Sequence, residues 1–142
     1  MRIVIDTNRI IASLIKDGPS RKILFSNLFE FLTPDYSLIE IYNHIEEIRK
    51  KTNNTIEEIE ILVSMIFENI EIISEQNYLS YLDKAKNLIA DIDDVPFIAV
   101  ALLIKADGIW SDDSDFITNS EIKVFRTKDM MDMVEEEEKL DI

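Results

Sequence analysis

Three aspartates sit where apolar runs meet helix-forming stretches, and a glutamate lies inside one such stretch. They are Asp6 after Ile3-Val4-Ile5, Glu40, Asp94 before Val95-Pro96-Phe97, and Asp113 after Gly108-Ile109-Trp110. Carboxylates are hard oxygen donors, so a pocket gathering several of them suits Mg²⁺ or Mn²⁺. The chain has no cysteine and one histidine, a composition poorly matched to zinc. A parallel sheet would do the gathering, because ligands of open α/β folds bind in the crevice beyond the carboxyl ends of the strands.

Each acid also has a plainer explanation. An aspartate after a strand is often a helix N-cap, and Asp6 precedes Thr7-Asn8. Glu40 is either a boundary residue paired with His44 one turn later or a member of the site. His44 itself reads as a surface residue. In Asp91-Ile92-Asp93-Asp94, the following Pro96 marks a helix start, which accounts for one aspartate as a cap. We assign the cap to Asp93 and the ligand role to Asp94, with Asp91 as a third charge. The run Ser111-Asp112-Asp113-Ser114-Asp115-Phe116 is either a solvated turn or a set of oxygen ligands anchored by Phe116.

The elements that must position these residues alternate from end to end. That pattern predicts an α/β domain with a mostly parallel sheet covered on both faces. Strands are expected at 2–5, 29–32, 70–73, 108–110 and 122–125. Helices are expected at 7–16, 19–27, 36–51, 55–68, 75–90 and 95–105, with a last one capped by Thr127. Thr55 and Glu58 form a capping-box signature, and Asn53-Asn54 mark a turn. One domain is expected over 1–134, followed by an acidic tail, 135–142. With two glycines there is no glycine-rich phosphate loop.

Hydrophobic residues make up 46% and charged residues 31% of the 142, an ordinary globular mixture. Apolar segments fall short of a membrane span, and Met1 leads straight into a strand without a basic leader, so the expected location is the cytoplasm. The net charge of −14 gives an average field that repels polyanions. A local basic patch would have to come from Arg9, Lys16, Arg21, Lys22, Arg49, Lys50 and Lys51.

Four pieces in this order resemble the PIN-domain family of metal-dependent nucleases. They are Ile3-Val4-Ile5-Asp6-Thr7-Asn8, Ser37-Leu38-Ile39-Glu40-Ile41, Asp94-Val95-Pro96-Phe97-Ile98-Ala99-Val100-Ala101 and Ser111-Asp112-Asp113-Ser114-Asp115-Phe116. The resemblance implies a three-layer α/β/α domain around a parallel sheet of about five strands. It makes Asp6, Glu40, Asp94 and Asp113 the acidic quartet and Asp115 an accessory acid, with Thr7, Asn8 and Ser111 in support. Ser111 stands where the family more often has threonine. The similar small prokaryotic members include VapC-like toxins that cleave RNA, which brings in RNA, an antitoxin and a second copy of the chain as partners to be tested.

Phosphodiester hydrolysis needs an activated water and stabilised charge on the leaving oxygen, and divalent ions supply both. The expected ligands are Asp6, Asp94 and Asp113, with Glu40 either a further ligand or the group that orients water. Close carboxylates without metal raise one another's pKa, so the cluster should cost stability until an ion binds. The alternative is a PIN-fold binding module with a structural metal site, which the net charge favours. A phosphatase fits less well, since Asp6-Thr7-Asn8 lacks a second aspartate two positions on.

Overall fold

Five short apolar runs build the sheet: β1 (Arg2–Ile5), β2 (Glu30–Pro34), β3 (Ile70–Ile73), β4 (Gly108–Trp110) and β5 (Val124–Phe125). In the computed structural model, which describes residues 1–118 and 121–140, they lie in the order β3-β2-β1-β4-β5 and every pairing is parallel. β1 is the centre of the sheet: Val4 stands opposite Leu32 on one side and Ile109 on the other. The chain builds outward from β1 first through β2 and β3, then returns to its other edge with β4. The topological switch therefore falls between β1 and β4, where a ligand crevice is expected.

Side-chain alternation divides the interior into two cores. Ile3, Ile5, Phe31, Trp110 and Phe125 face one side with residues of α1 (Thr7–Ile15), α2 (Pro19–Leu24), α4 (Ile45–Thr52), α5 (Ile56–Phe67) and α9 (Thr127–Leu140). Val4 and Ile109 face the other with α6 (Glu75–Tyr78), α7 (Leu82–Lys86) and α8 (Val95–Ile104). The result is the expected three-layer α/β/α arrangement. α8 is apolar almost all round, with Val95 and Phe97 to Ala101 buried, as a helix sandwiched between sheet and outer helices must be. Gly108 is required for packing, since a Cβ there would lie 2.5 Å from the Phe125 ring. Among the described residues no helix is long and apolar enough to cross a membrane.

Several boundaries differ from expectation. The stretch 36–51 is two helices, α3 (Tyr36–Asn43) and α4, broken at His44, whose φ of −104° and ψ of 10° leave the helical region. The His44 Nδ1 lies 2.8 Å from the Glu40 carbonyl oxygen, so its ring bonds its own helix end. Ile41 and Ile48 stay buried on either side, and the apolar stripe alone therefore hides the break. The stretch 75–90 is α6, a 3-10 turn at Leu79–Tyr81 and α7, ending at Lys86. Asp35 fixes α6 by accepting from the Glu75 amide and the Tyr78 hydroxyl at 3.0 and 2.8 Å. β2 continues to Pro34, α2 stops at Leu24, and β5 holds only 124 and 125. The capping box at Thr55 and Glu58 is present as read, and α9 runs through the glutamate run to Leu140.

Candidate metal centre

Asp6 directly follows β1, and its amide continues the sheet by donating to the Trp110 carbonyl at 3.1 Å. That places Asp6 at the β1–β4 switch, 6% exposed. Ser111, fully buried past the end of β4, donates its hydroxyl to Asp6 Oδ2 at 2.8 Å and accepts the Asp113 amide at 3.0 Å. Asp113 Oδ1 in turn accepts the Asp115 amide at 3.0 Å. One chain of hydrogen bonds therefore links the first strand to the acidic loop 111–116, which Phe116 pins into the core. Thr7, the next residue, donates its hydroxyl to Glu40 Oε1 at 2.7 Å. Glu40 thus meets the site through Thr7, not through a pair with the His44 ring.

Asp94 behaves differently. It is 8% exposed, its Oδ2 has no hydrogen-bond partner, and it makes no side-chain cap although it stands at the N-cap position of α8. Burial first, and then the charges of Asp91, Asp6, Asp113 and Asp115, push its carboxyl up to about 7. The same forces act on Asp6: burial and Asp113 raise its pKa, opposed by Ser111, the Asn8 amide and Arg9. Burial also raises Glu40, with Thr7 opposing and the charges of Asp6 and Asp93 adding to the rise. These shared influences place Asp6, Asp94, Asp113 and Asp115 in one electrostatic neighbourhood, with Glu40 joined to it beside Asp6.

The expected assignment of caps is corrected here. Asp93 is not the cap: its Oδ1 accepts the Tyr36 hydroxyl at 2.7 Å, and this pushes Tyr36 up to about 12. Asp91 does the capping, accepting the Asp93 amide at 2.9 Å over the 3-10 turn Ile92–Asp94. Thr127 is not a side-chain cap either. Its hydroxyl donates to Asp112 Oδ2 at 2.7 Å and accepts from Trp110 Nε1 at 3.1 Å, while its amide donates to Asp112 Oδ1 at 2.8 Å.

Asp112 and Arg9 escaped the sequence reading as organisers of the site. They form an ion pair at 2.8 Å that ties α1 to the acidic loop and to α9. Burial works against the Asp112 charge, but the two Thr127 bonds, Arg9 and Arg126 outweigh it and hold its carboxyl below the usual range. The signal available in the sequence was Arg9, in the first turn of the helix that Asp6 precedes. The other cations of the presumed patch are mostly engaged elsewhere: Lys22 with Glu138, Arg49 with Glu46 and Lys51 with Glu47.

Asp6, Asn8, Arg9, Asp112 and Asp113 line a cleft of about 250 Å³. Among the described residues, Asp91, Asp94 and Asp115 form a group of carboxylates with oxygens within 4.8 Å of one another. All-oxygen donors and a buried acceptor left without a proton donor fit a hard divalent cation. The acidic cluster is thus able to hold such an ion.

Comparison with curated proteins finds no match. A family profile described as PIN domain matches residues 4–134. This span takes in all five strands (β1 from Val4), the four motif pieces apart from Ile3, and α9 as far as Val134, and PIN domains are generally nucleases. The chain belongs to the PIN-domain family.

Proposed function

We propose that the protein is a divalent-metal-dependent ribonuclease that hydrolyses phosphodiester bonds of single-stranded RNA. Its metal ligands in this reading are Asp6, Asp94 and Asp113, flanked by Glu40 and Asp115, and its ion is Mg²⁺ or Mn²⁺. The observation that carries the reading is Asp94, buried and unpartnered at Oδ2 among other carboxylates. An ion bound there would stabilise charge on the phosphate and lower the pKa of an attacking water.

The chain's own residues hold the donors in place. Ser111 fixes Asp6, and Thr7 fixes Glu40, so neither carboxylate must be ordered when an ion arrives. Glu40 has a raised pKa, which suits a group that orients the attacking water and accepts its proton. Asn8, exposed at the cleft, offers a side-chain amide to a phosphate oxygen. Cleavage of single-stranded RNA with Mn²⁺ tests the reading. Asp6→Asn and Asp94→Asn should each lose more than the roughly 100-fold that removing a supporting residue costs at a metal site. Equal cleavage by all three proteins ends the proposal.

We extend the proposal to a cytoplasmic toxin of a toxin–antitoxin pair. Ile39 and Tyr42, on the same helix as Glu40, are 57% and 49% exposed. An apolar strip beside the acids suits a protein partner, either an antitoxin or a second copy of the chain. The net charge of −14 favours a second reading, a non-catalytic PIN-fold binding module that keeps a structural cation. Metal binding without turnover of any RNA would select it.

A further inference from the structure

Arg9 is engaged through one nitrogen only. Its Nη1 meets Asp112 Oδ2 at 2.8 Å and donates to the Thr127 hydroxyl at 3.3 Å. Its Nε is buried and reaches no acceptor, whereas a buried donor is normally satisfied. The side chain keeps part of its surface open and lines the same cleft as Asp6, Asn8, Asp112 and Asp113. Of these lining residues Arg9 alone is cationic. Its charge reaches Asp6 as well as Asp112, in both opposing the rise that burial causes. A purely structural ion pair accounts for Nη1. It does not account for a guanidinium that lines the cleft with an N–H unmet.

We infer that Arg9 binds a backbone phosphate of the RNA through its remaining N–H groups, with Asp112 as the brace that holds the guanidinium in place. The inference rests on the RNA-cleaving reading above and adds to it the residue that grips the polyanion. A guanidinium is a planar fork of five N–H donors, so one edge can pair with a carboxylate while another meets a phosphate. The bond to phosphate is charge-assisted on both sides. Because Asp112 already orders the long side chain, little rotamer freedom is lost when the phosphate arrives. Phosphate contacts dominate affinity for nucleic acid, so a cation in the cleft itself answers the net charge of −14 at the place where RNA must lie.

Anisotropy titration of a labelled single-stranded RNA with the full chain tests it, at several salt concentrations in CaCl₂, with the RNA checked intact on a gel. Arg9→Gln should weaken binding by about tenfold. It should also flatten the dependence of log Kd on log salt by about 0.7, the value for one phosphate contact on a single strand. Arg9→Lys should restore the slope and only part of the affinity, because an ammonium keeps the charge without the fork. Asp112→Asn breaks the same ion pair but leaves the guanidinium in the cleft with its full charge, so RNA should bind at least as tightly as to wild type. Circular dichroism checks folding, and Arg9→Lys with Asp112→Asn carries the test if Arg9→Gln unfolds. Equal losses of affinity in Asp112→Asn and the Arg9 variants overturn the inference, as does an Arg9→Gln protein that binds as wild type does. RNA cleavage by wild type would then leave the metal-dependent reading standing. If wild type neither binds nor cleaves RNA, both fall.

Discussion

The two flanks of the cleft treat negative charge in opposite ways. On the β1–β4 flank every carboxylate described is answered by the chain: Asp6 by Ser111, Asp113 by the Asp115 amide, Asp112 by Arg9 and Thr127. On the α8 flank Asp94 is buried with an oxygen unpartnered, and its close neighbours are other acids. The first flank is folded by its own hydrogen bonds. The second keeps one buried carboxylate oxygen that no hydrogen bond of the chain reaches. The unpartnered oxygen lies near the carboxyl ends of the central strands, where ligands of this sheet topology bind.

Removing the compensating partner on the satisfied flank should be the more damaging change. Arg9→Ala breaks a pair that is 21% and 36% exposed and leaves Asp112 charged against α9. Stability should fall by about 2 kcal/mol, read from urea unfolding. An unchanged midpoint would mean that the pair does not hold the loop. Asp94→Asn on the other flank should do the reverse and stabilise the metal-free protein at pH 7, by about 1–2 kcal/mol once solvent screening at the open cleft is counted.

The pH dependence follows from the same asymmetry. The Asp94 carboxyl is raised from about 4 in the unfolded chain to about 7 in the fold, so the folded state binds more protons between those values. Its contribution to stability is therefore full below about pH 4 and is lost as pH rises towards 7. Thermal melts of wild type and Asp94→Asn should agree best near pH 4 and separate by pH 7, with the variant higher. Melting differences that do not change with pH would contradict the burial of a strained carboxylate. The smallest effect is expected from Thr7→Val, which removes the bond to Glu40. It should slow RNA cleavage by roughly 3- to 10-fold, about 1 kcal/mol, with little change in stability; an unaltered rate would show that Glu40 needs no tether.

The sheet was legible because its strands are short apolar runs that alternate with helical stripes, and an Asp or Ser-Asp at the end of such a run can only lie at the crevice. Asp6, Ser111 and Asp113 follow from that. The rest turned on rotations that periodicity does not register. Asp93 and Asp94 are adjacent, and which one turns inward depends on Tyr36, 57 positions away. Thr127 looked like a cap because helix starts favour threonine, but Trp110 and Asp112 had a stronger claim on its hydroxyl. The break at His44 was hidden by an apolar stripe that continues across it.

Crystals grown with Mn²⁺ test the central claim most directly, through the anomalous signal of the ion. The account requires a peak about 2 Å from an Asp94 oxygen, with Asp6 or Asp113 beside it. Manganese density confined to other surfaces, in a protein that cleaves RNA, would contradict it.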